Sequence, residues 1–189
     1  MRFNTKKSLH TSYSILHTSL GFTLVELLVV MAIISILATL IVGGFRSSQI
    51  RGRDAQRKSD LKQLANALEL FYQDYGKYPS ASGGNIAACS YNPTLGSGSA
   101  CNWGSGELND TKTTYMKVVP KDPASGQNYL YKVNSTNTKF QLYAHLENTE
   151  DKNCINASCT SPGISDTCGG TDVCNFGITS TNATTTEAL

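Results

Sequence analysis

The sequence predicts an α+β chain: one long N-terminal α-helix, membrane-spanning in its first half, packed on a small antiparallel β-sheet with disulfide-stapled loops. Three observations predict it. Leu27–Phe45 is a run of 19 residues without a charge. Leu61, Leu64, Leu68, Tyr72 and Tyr75 then recur at a helical period. Beyond residue 76, short alternating runs are interspersed with all six cysteines.

The apolar run comes first. At 1.5 Å per residue it makes a helix of roughly 28 Å, close to the ~30 Å hydrocarbon core of a bilayer. It is longer than the apolar region of an ordinary secretory signal, and no A-x-A site follows it. The periodic stripe continues the helix, with Lys62, Gln63, Asn66, Glu69 and Gln73 on the opposite face. A single helix over 22–75 is implied, stopped by Gly76 with Pro79 behind it. Gly43, Gly44 and Gly52 weaken it by roughly 1 kcal/mol each relative to alanine. Arg46, Arg51, Arg53, Arg57, Lys58 and Lys62 outnumber Asp54 and Asp60 there, and are expected to meet acids of neighbouring molecules or lipid phosphates. No aromatic residues interleave with these bases, so no nucleic-acid partner is expected.

Residues 76–189 hold little apolar area for an independent core. The helix stripe supplies one support. Cys89, Cys101, Cys154, Cys159, Cys168 and Cys174 supply the other, as three disulfides worth roughly 2–4 kcal/mol each. Cys89–Cys101 closes the loop between them. The last four pair either as Cys154–Cys159 with Cys168–Cys174 or as nested Cys154–Cys174 and Cys159–Cys168. Residues 128–133 and 139–146 read as a hairpin in which Phe140, Leu142, Ala144 and Leu146 bury one face. Residues 175–179 read as a third strand, 80–107 as a long surface loop, and 179–189 as a frayed polar tail.

Composition narrows the function. The chain has 189 residues and a net charge of +2, which suits one domain with an appendage and gives no support to polyanion binding. Mean hydropathy of -0.22 excludes a polytopic membrane protein. Arg2, Lys6 and Lys7 precede Phe22 with no acid among them. His10 and His17 lie in the same stretch, which leaves His145 as the one imidazole beyond it. That is a poor inventory for acid–base or metal chemistry. No G-x-S-x-G, H-E-x-x-H or nucleotide-loop pattern occurs. No catalytic residue, metal or cofactor is therefore expected, and the chain is not expected to be an enzyme.

The string Gly21-Phe22-Thr23-Leu24-Val25-Glu26-Leu27-Leu28-Val29-Val30 follows the basic leader without a gap. Here the chain resembles the type IV pilins and the pseudopilins of type II secretion. The resemblance implies the pilin fold. It also implies that a membrane-embedded prepilin peptidase removes residues 1–21 by cutting between Gly21 and Phe22. The same enzyme methylates the new amine of Phe22. Helix 22–75 (transmembrane over about 24–45) then stays on the mature protein. The N-terminus is cytoplasmic, and 76–189 form an extracytoplasmic globular domain. The implied partners are the peptidase/methyltransferase, an inner-membrane assembly platform, a cytoplasmic ATPase, membrane lipid before assembly, and further copies of the chain in a helical filament.

Glu26 is the one acid in this oily stretch. A carboxylate in the bilayer interior costs on the order of 2.5–3.5 kcal/mol. Cleavage would create an ammonium on Phe22, and a pair about 4 Å apart attracts by roughly 4 kcal/mol at an effective dielectric near 20. In the resembled family this salt bridge forms between neighbouring subunits and fixes their register. Asp74-Tyr75-Gly76-Lys77-Tyr78-Pro79, Val119-Pro120-Lys121-Asp122-Pro123 and Tyr129-Leu130-Tyr131 are similar to the Y-x-x-Y-P, P-x-D-P and Y-x-Y pattern of the major pseudopilins. That group often binds calcium in a C-terminal loop. Glu150, Asp151, Asp166 and Asp172 do not make its ligand pattern, and no calcium site is carried over. Two functions remain in view. One is a filament subunit of a pilus or secretion pseudopilus; the other is a monomeric membrane-anchored binding module that would need neither the cut nor Glu26.

Overall fold

The computed structural model describes residues 21–157, 159–160 and 163–189, and of residues 40–43 the backbone alone. Of the leader 1–21, all but Gly21 lies outside the described residues. The chain divides into two units at Gly43/Gly44.

Helix α1 runs from Leu24 to Tyr75. In the first unit its large apolar side chains, Leu24, Val25, Leu27, Leu28 and on to Leu37, are all exposed. Among the described residues no single helix is long and apolar enough to cross a membrane. Leu24–Thr39 and Gly44–Tyr75 pass that test of length and composition together.

In the second unit α1 follows the helical period. Leu61, Leu64, Ala67, Leu68 and Phe71 are buried, while Lys62, Gln63, Asn66 and Gln73 face solvent. The stripe's centre is Phe71 rather than Tyr72 and Tyr75, which are half-buried. Its ring lies 4.6 Å from Tyr75, 4.8 Å from Tyr91 and 5.3 Å from Tyr115, each a tilted or edge contact. Gly76 ends the helix. It takes φ +66°, and its amide donates to the Tyr72 carbonyl at 2.7 Å. A Cβ would be strained in that left-handed conformation.

Among the described residues nine short strands follow, in three sheets. Strands β1 (Ser80–Ser82) and β2 (Asn85–Ala87) form a hairpin. Strands β3 (Cys89–Asn92), β4 (Ser97–Ser99), β5 (Leu108–Asn109) and β6 (Thr114–Met116) form an antiparallel sheet in the order β4-β3-β5-β6. Strands β7 (Leu130–Val133), β8 (Phe140–Ala144) and β9 (Phe176–Thr179) form the third, with β8 central. This last sheet is the predicted hairpin with its predicted third strand. Leu130 pairs with Tyr143 and Val133 with Phe140, while Ala144 pairs with Phe176.

Three expectations are corrected. Residues 80–107 are not one surface loop: they hold β1 to β4, and Ile86, Ala87, Ala88, Tyr91 and Cys101 join the core. Strand β8 is buried on both faces rather than one, since Gln141 and Tyr143 are each 1 % exposed. The polar tail supplies the second cover. Gln141 Nε2 donates to the carbonyls of Thr184 and Glu187 at 2.6 and 2.7 Å, and the Tyr143 hydroxyl donates to the Thr185 carbonyl at 2.7 Å. The tail therefore lies down on the sheet instead of fraying.

The third correction concerns the helix bases. Arg53, Arg57 and Lys58 do not wait for a neighbouring molecule. They pair within the chain, with Glu147, with Asp54, Asp122 and Glu147, and with Asp151 respectively.

Candidate functional site

Gly21 and Phe22 are both exposed in the first unit, and a Cβ placed on Gly21 would meet no atom within 4 Å. Helix α1 opens just beyond these two residues. The Thr23 amide and hydroxyl both donate to Glu26 Oε2, at 2.9 and 2.8 Å, and the Glu26 amide donates back to Thr23 Oγ1 at 3.2 Å. This is a reciprocal capping box, which satisfies donors that the first helical turn leaves without a partner. Thr-x-x-Glu ahead of an apolar run is the sequence signal for it, and the reading of Glu26 as an assembly charge alone overlooked that signal.

In the second unit, the three loosely matching motifs converge on the helix. The Arg57 side chain is fully buried. Its Nε and Nη2 donate to the two oxygens of Asp122 at 2.7 and 2.8 Å, a planar two-pronged pair. Its Nη1 reaches Asp54 and Glu147, each at 2.8 Å. Asp54 in turn accepts the backbone amides of Glu147 at 3.0 Å and Asn148 at 2.8 Å. The Tyr129 hydroxyl donates to Asp60 at 2.7 Å, and the Tyr131 hydroxyl to the Pro79 carbonyl at 2.7 Å. The charged groups thus fix the globular domain to one stretch of α1.

Burial alone would lower the Arg57 pKa, but the bonds it donates to Asp122, Glu147 and Asp54 raise it, so it stays charged. The Arg53 hydrogen bonds hold the Glu147 carboxyl down at about 2, against burial and with help from Arg57. The Tyr75 hydroxyl does the same for Asp110, also at about 2, again against burial. Both acids bind protons less readily folded than unfolded. Their stabilisation is complete above about pH 4.5 and is lost as the pH falls towards 2. Thermal melts at descending pH should show the midpoint falling through that window, and Glu147→Gln should flatten part of the fall.

The structure pairs Cys89 with Cys101, Cys154 with Cys159, and Cys168 with Cys174. The nested alternative for the last four is not adopted. The acids of the C-terminal segment, from which no calcium site is expected, face donors of the chain itself. Asp151 is held by the Lys58 ammonium and the Asn153 amide, Asp166 by Lys132 at 2.6 Å, and Asp172 by the Gln127 side-chain amide. Glu150 lies 4.0 Å from Arg51 in an exposed pair. Asp151, Asp166 and Asp172 each bond a different side-chain donor, and among the described residues no three potential ligands gather.

Residues 17–42 match the family model of the prokaryotic N-terminal methylation motif, and residues 46–153 match that of type II secretion system (T2SS), protein G. The chain is 36 % identical over 124 residues to the type II secretion system core protein G of Pseudomonas aeruginosa, which covers 66 % of this chain and 80 % of that protein. It is 33 % identical over 103 residues to the protein of the same name from Escherichia coli K12, or 54 % of this chain and 65 % of that one. It is 40 % identical over 58 residues to the type IV major pilin protein PilA of Myxococcus xanthus, or 31 % of this chain and 26 % of that one. No solved structure matches the chain.

Proposed function

Because the chain belongs to the type II secretion system protein G family, we propose that it is the major structural subunit of a secretion pseudopilus. It is anchored in the membrane by the first half of α1, with 76–189 on the far side, and is cut after Gly21 and methylated on Phe22. The observation that carries this reading is the naked apolar helix. Leu24, Val25, Leu27 and Leu28 are each at least 60 % exposed. So much contiguous apolar surface is costly in water and must be covered. Lipid covers it before assembly, and the same helix of other copies covers it afterwards.

Glu26 gives that exchange a direction. Until the chain is cut, its carboxylate closes the cap on Thr23 and no ammonium exists at Phe22. Cutting creates the cation one residue before the cap, where a neighbouring subunit's Glu26 can take it up. The capping box and the assembly bridge are thus two uses of one carboxylate. Pilus and pseudopilus share this physics. The match to the protein G family over the globular domain favours the secretion filament. A peptidase, a membrane platform and a cytoplasmic ATPase are the partners that such a route needs.

The test is electron microscopy of material sheared from cells that make the chain together with a secretion assembly apparatus. Filaments labelled by an antibody to residues 76–189 support the reading. Protein that stays monomeric in the membrane under those conditions supports an anchored binding module instead.

A further inference from the structure

The segment from Glu147 to Asn175 has to be held against the rest of the domain with very little apolar material. Its small satellite core is Tyr143, Ile155, Cys168 and Cys174, with Leu130 and Ile164 at the edge. Two of those four buried side chains are disulfide sulfurs. The remaining fasteners are polar. Leu146 and Asn175, at the two ends of the segment, are clamped by the Asn175 amide: the Leu146 amide donates to Oδ1 at 2.6 Å, and Nδ2 donates to the Leu146 carbonyl at 2.9 Å. Asp151 is tied to the helix by Lys58. Between these points, Cys154–Cys159 and Cys168–Cys174 join cysteines five and six positions apart. The second loop is also braced by bonds from the Cys168 amide to the Asp172 carbonyl at 2.8 Å and from the Cys174 amide to the Asp166 carbonyl at 3.0 Å. Gly169, just inside it, presses so close that a Cβ would fall 2.3 Å from the Gly126 carbonyl oxygen.

A divalent cation would organise such a segment by drawing several carboxylates to one point. Here Asp151, Asp166 and Asp172 each bond a different side-chain donor, Lys58, Lys132 and Gln127 respectively. We infer that this segment is fastened by thiol oxidation in place of a divalent cation, so that the chain needs a disulfide oxidant, and no calcium, to complete its fold. Each bond forms as two cysteine thiols give up two protons and two electrons. The electrons pass to the disulfide of a thiol–disulfide exchange catalyst, which leaves as a dithiol. The inference holds whether or not the chain polymerises, so its failure would not touch the filament reading.

The test uses the full chain in detergent, with thermal unfolding and limited proteolysis followed in millimolar calcium chloride, in EGTA, and in EGTA with a phosphine reductant. The midpoint should agree within about 1 °C between calcium and EGTA, and fall by about 5–10 °C on reduction. Reduction should also open new cleavage sites within 147–175. The Cys154→Ser/Cys159→Ser double variant should show the same new sites. If that variant does not accumulate, the purified oxidised chain reduced in place gives the same reading. A midpoint several degrees higher in calcium, or a reduced chain that keeps both its midpoint and its protease resistance, would overturn the inference.

Discussion

Replacing Arg57 by methionine will destabilise the globular unit by about 3–5 kcal/mol, a fall in melting midpoint on the order of 10 °C. The reasoning is an accounting of what stays behind. The guanidinium is fully buried and makes four bonds to three carboxylates. Methionine fills much of the space but neutralises nothing. Asp122 is left buried without its two-pronged partner. Asp54 cannot turn to solvent, because it also holds the amides of Glu147 and Asn148. An uncompensated buried carboxylate is among the costliest changes a single substitution makes. Arg51→Met is the control. Its pair with Glu150 is 4.0 Å long and exposed on both sides, so the midpoint should barely move. Equal midpoints for the two variants would show that the ion cluster does not dock the domain to the helix.

Glu26→Gln will leave the chain inserted and its helix capped, and will abolish its incorporation into filaments. Glutamine keeps an acceptor for the Thr23 amide and hydroxyl, so the capping box survives. What it loses is the charge. Glu26→Leu loses both, at a further cost of about 1 kcal/mol in helix capping. Comparing the two separates the roles that one carboxylate combines. If Glu26 only caps its helix, the glutamine variant makes filaments and the leucine variant suffers. If it answers the Phe22 ammonium of a neighbour, both variants fail. The assay is the yield of sheared filament at matched amounts of membrane-inserted protein. A normal yield from the glutamine variant would remove the salt bridge from the account.

The parts of this protein that were legible in its sequence are those governed by local periodicity. The stripe at Leu61, Leu64 and Leu68 and the alternation at Phe140, Leu142 and Ala144 each state a period, and each produced its element. Stretches whose burial is decided from far away stayed hidden. Residues 80–107 read as loop because they are mostly glycine, serine and asparagine. The few apolar residues, Ile86, Ala88 and Tyr91, are carried into the core by pairing and not by pattern. The tail read as frayed because its contacts with Gln141 and Tyr143 use backbone carbonyls, which no side chain advertises. The P-x-D-P motif was visible at Asp122, but its partner Arg57 lies 65 positions away, and nothing local links them. At the functional end the letters were all present. Thr23 and Glu26 carry both a capping signal and a family motif, and the second obscured the first.

The central claim is that the chain is cut at Gly21–Phe22 and joins its neighbours through the amine so released. Intact-mass and N-terminal fragment spectra of the chain recovered from sheared filaments test it most directly. The account predicts that the protein begins at Phe22, one methyl group heavier than the bare sequence from that residue. Filament protein that still carries residues 1–21 would contradict it.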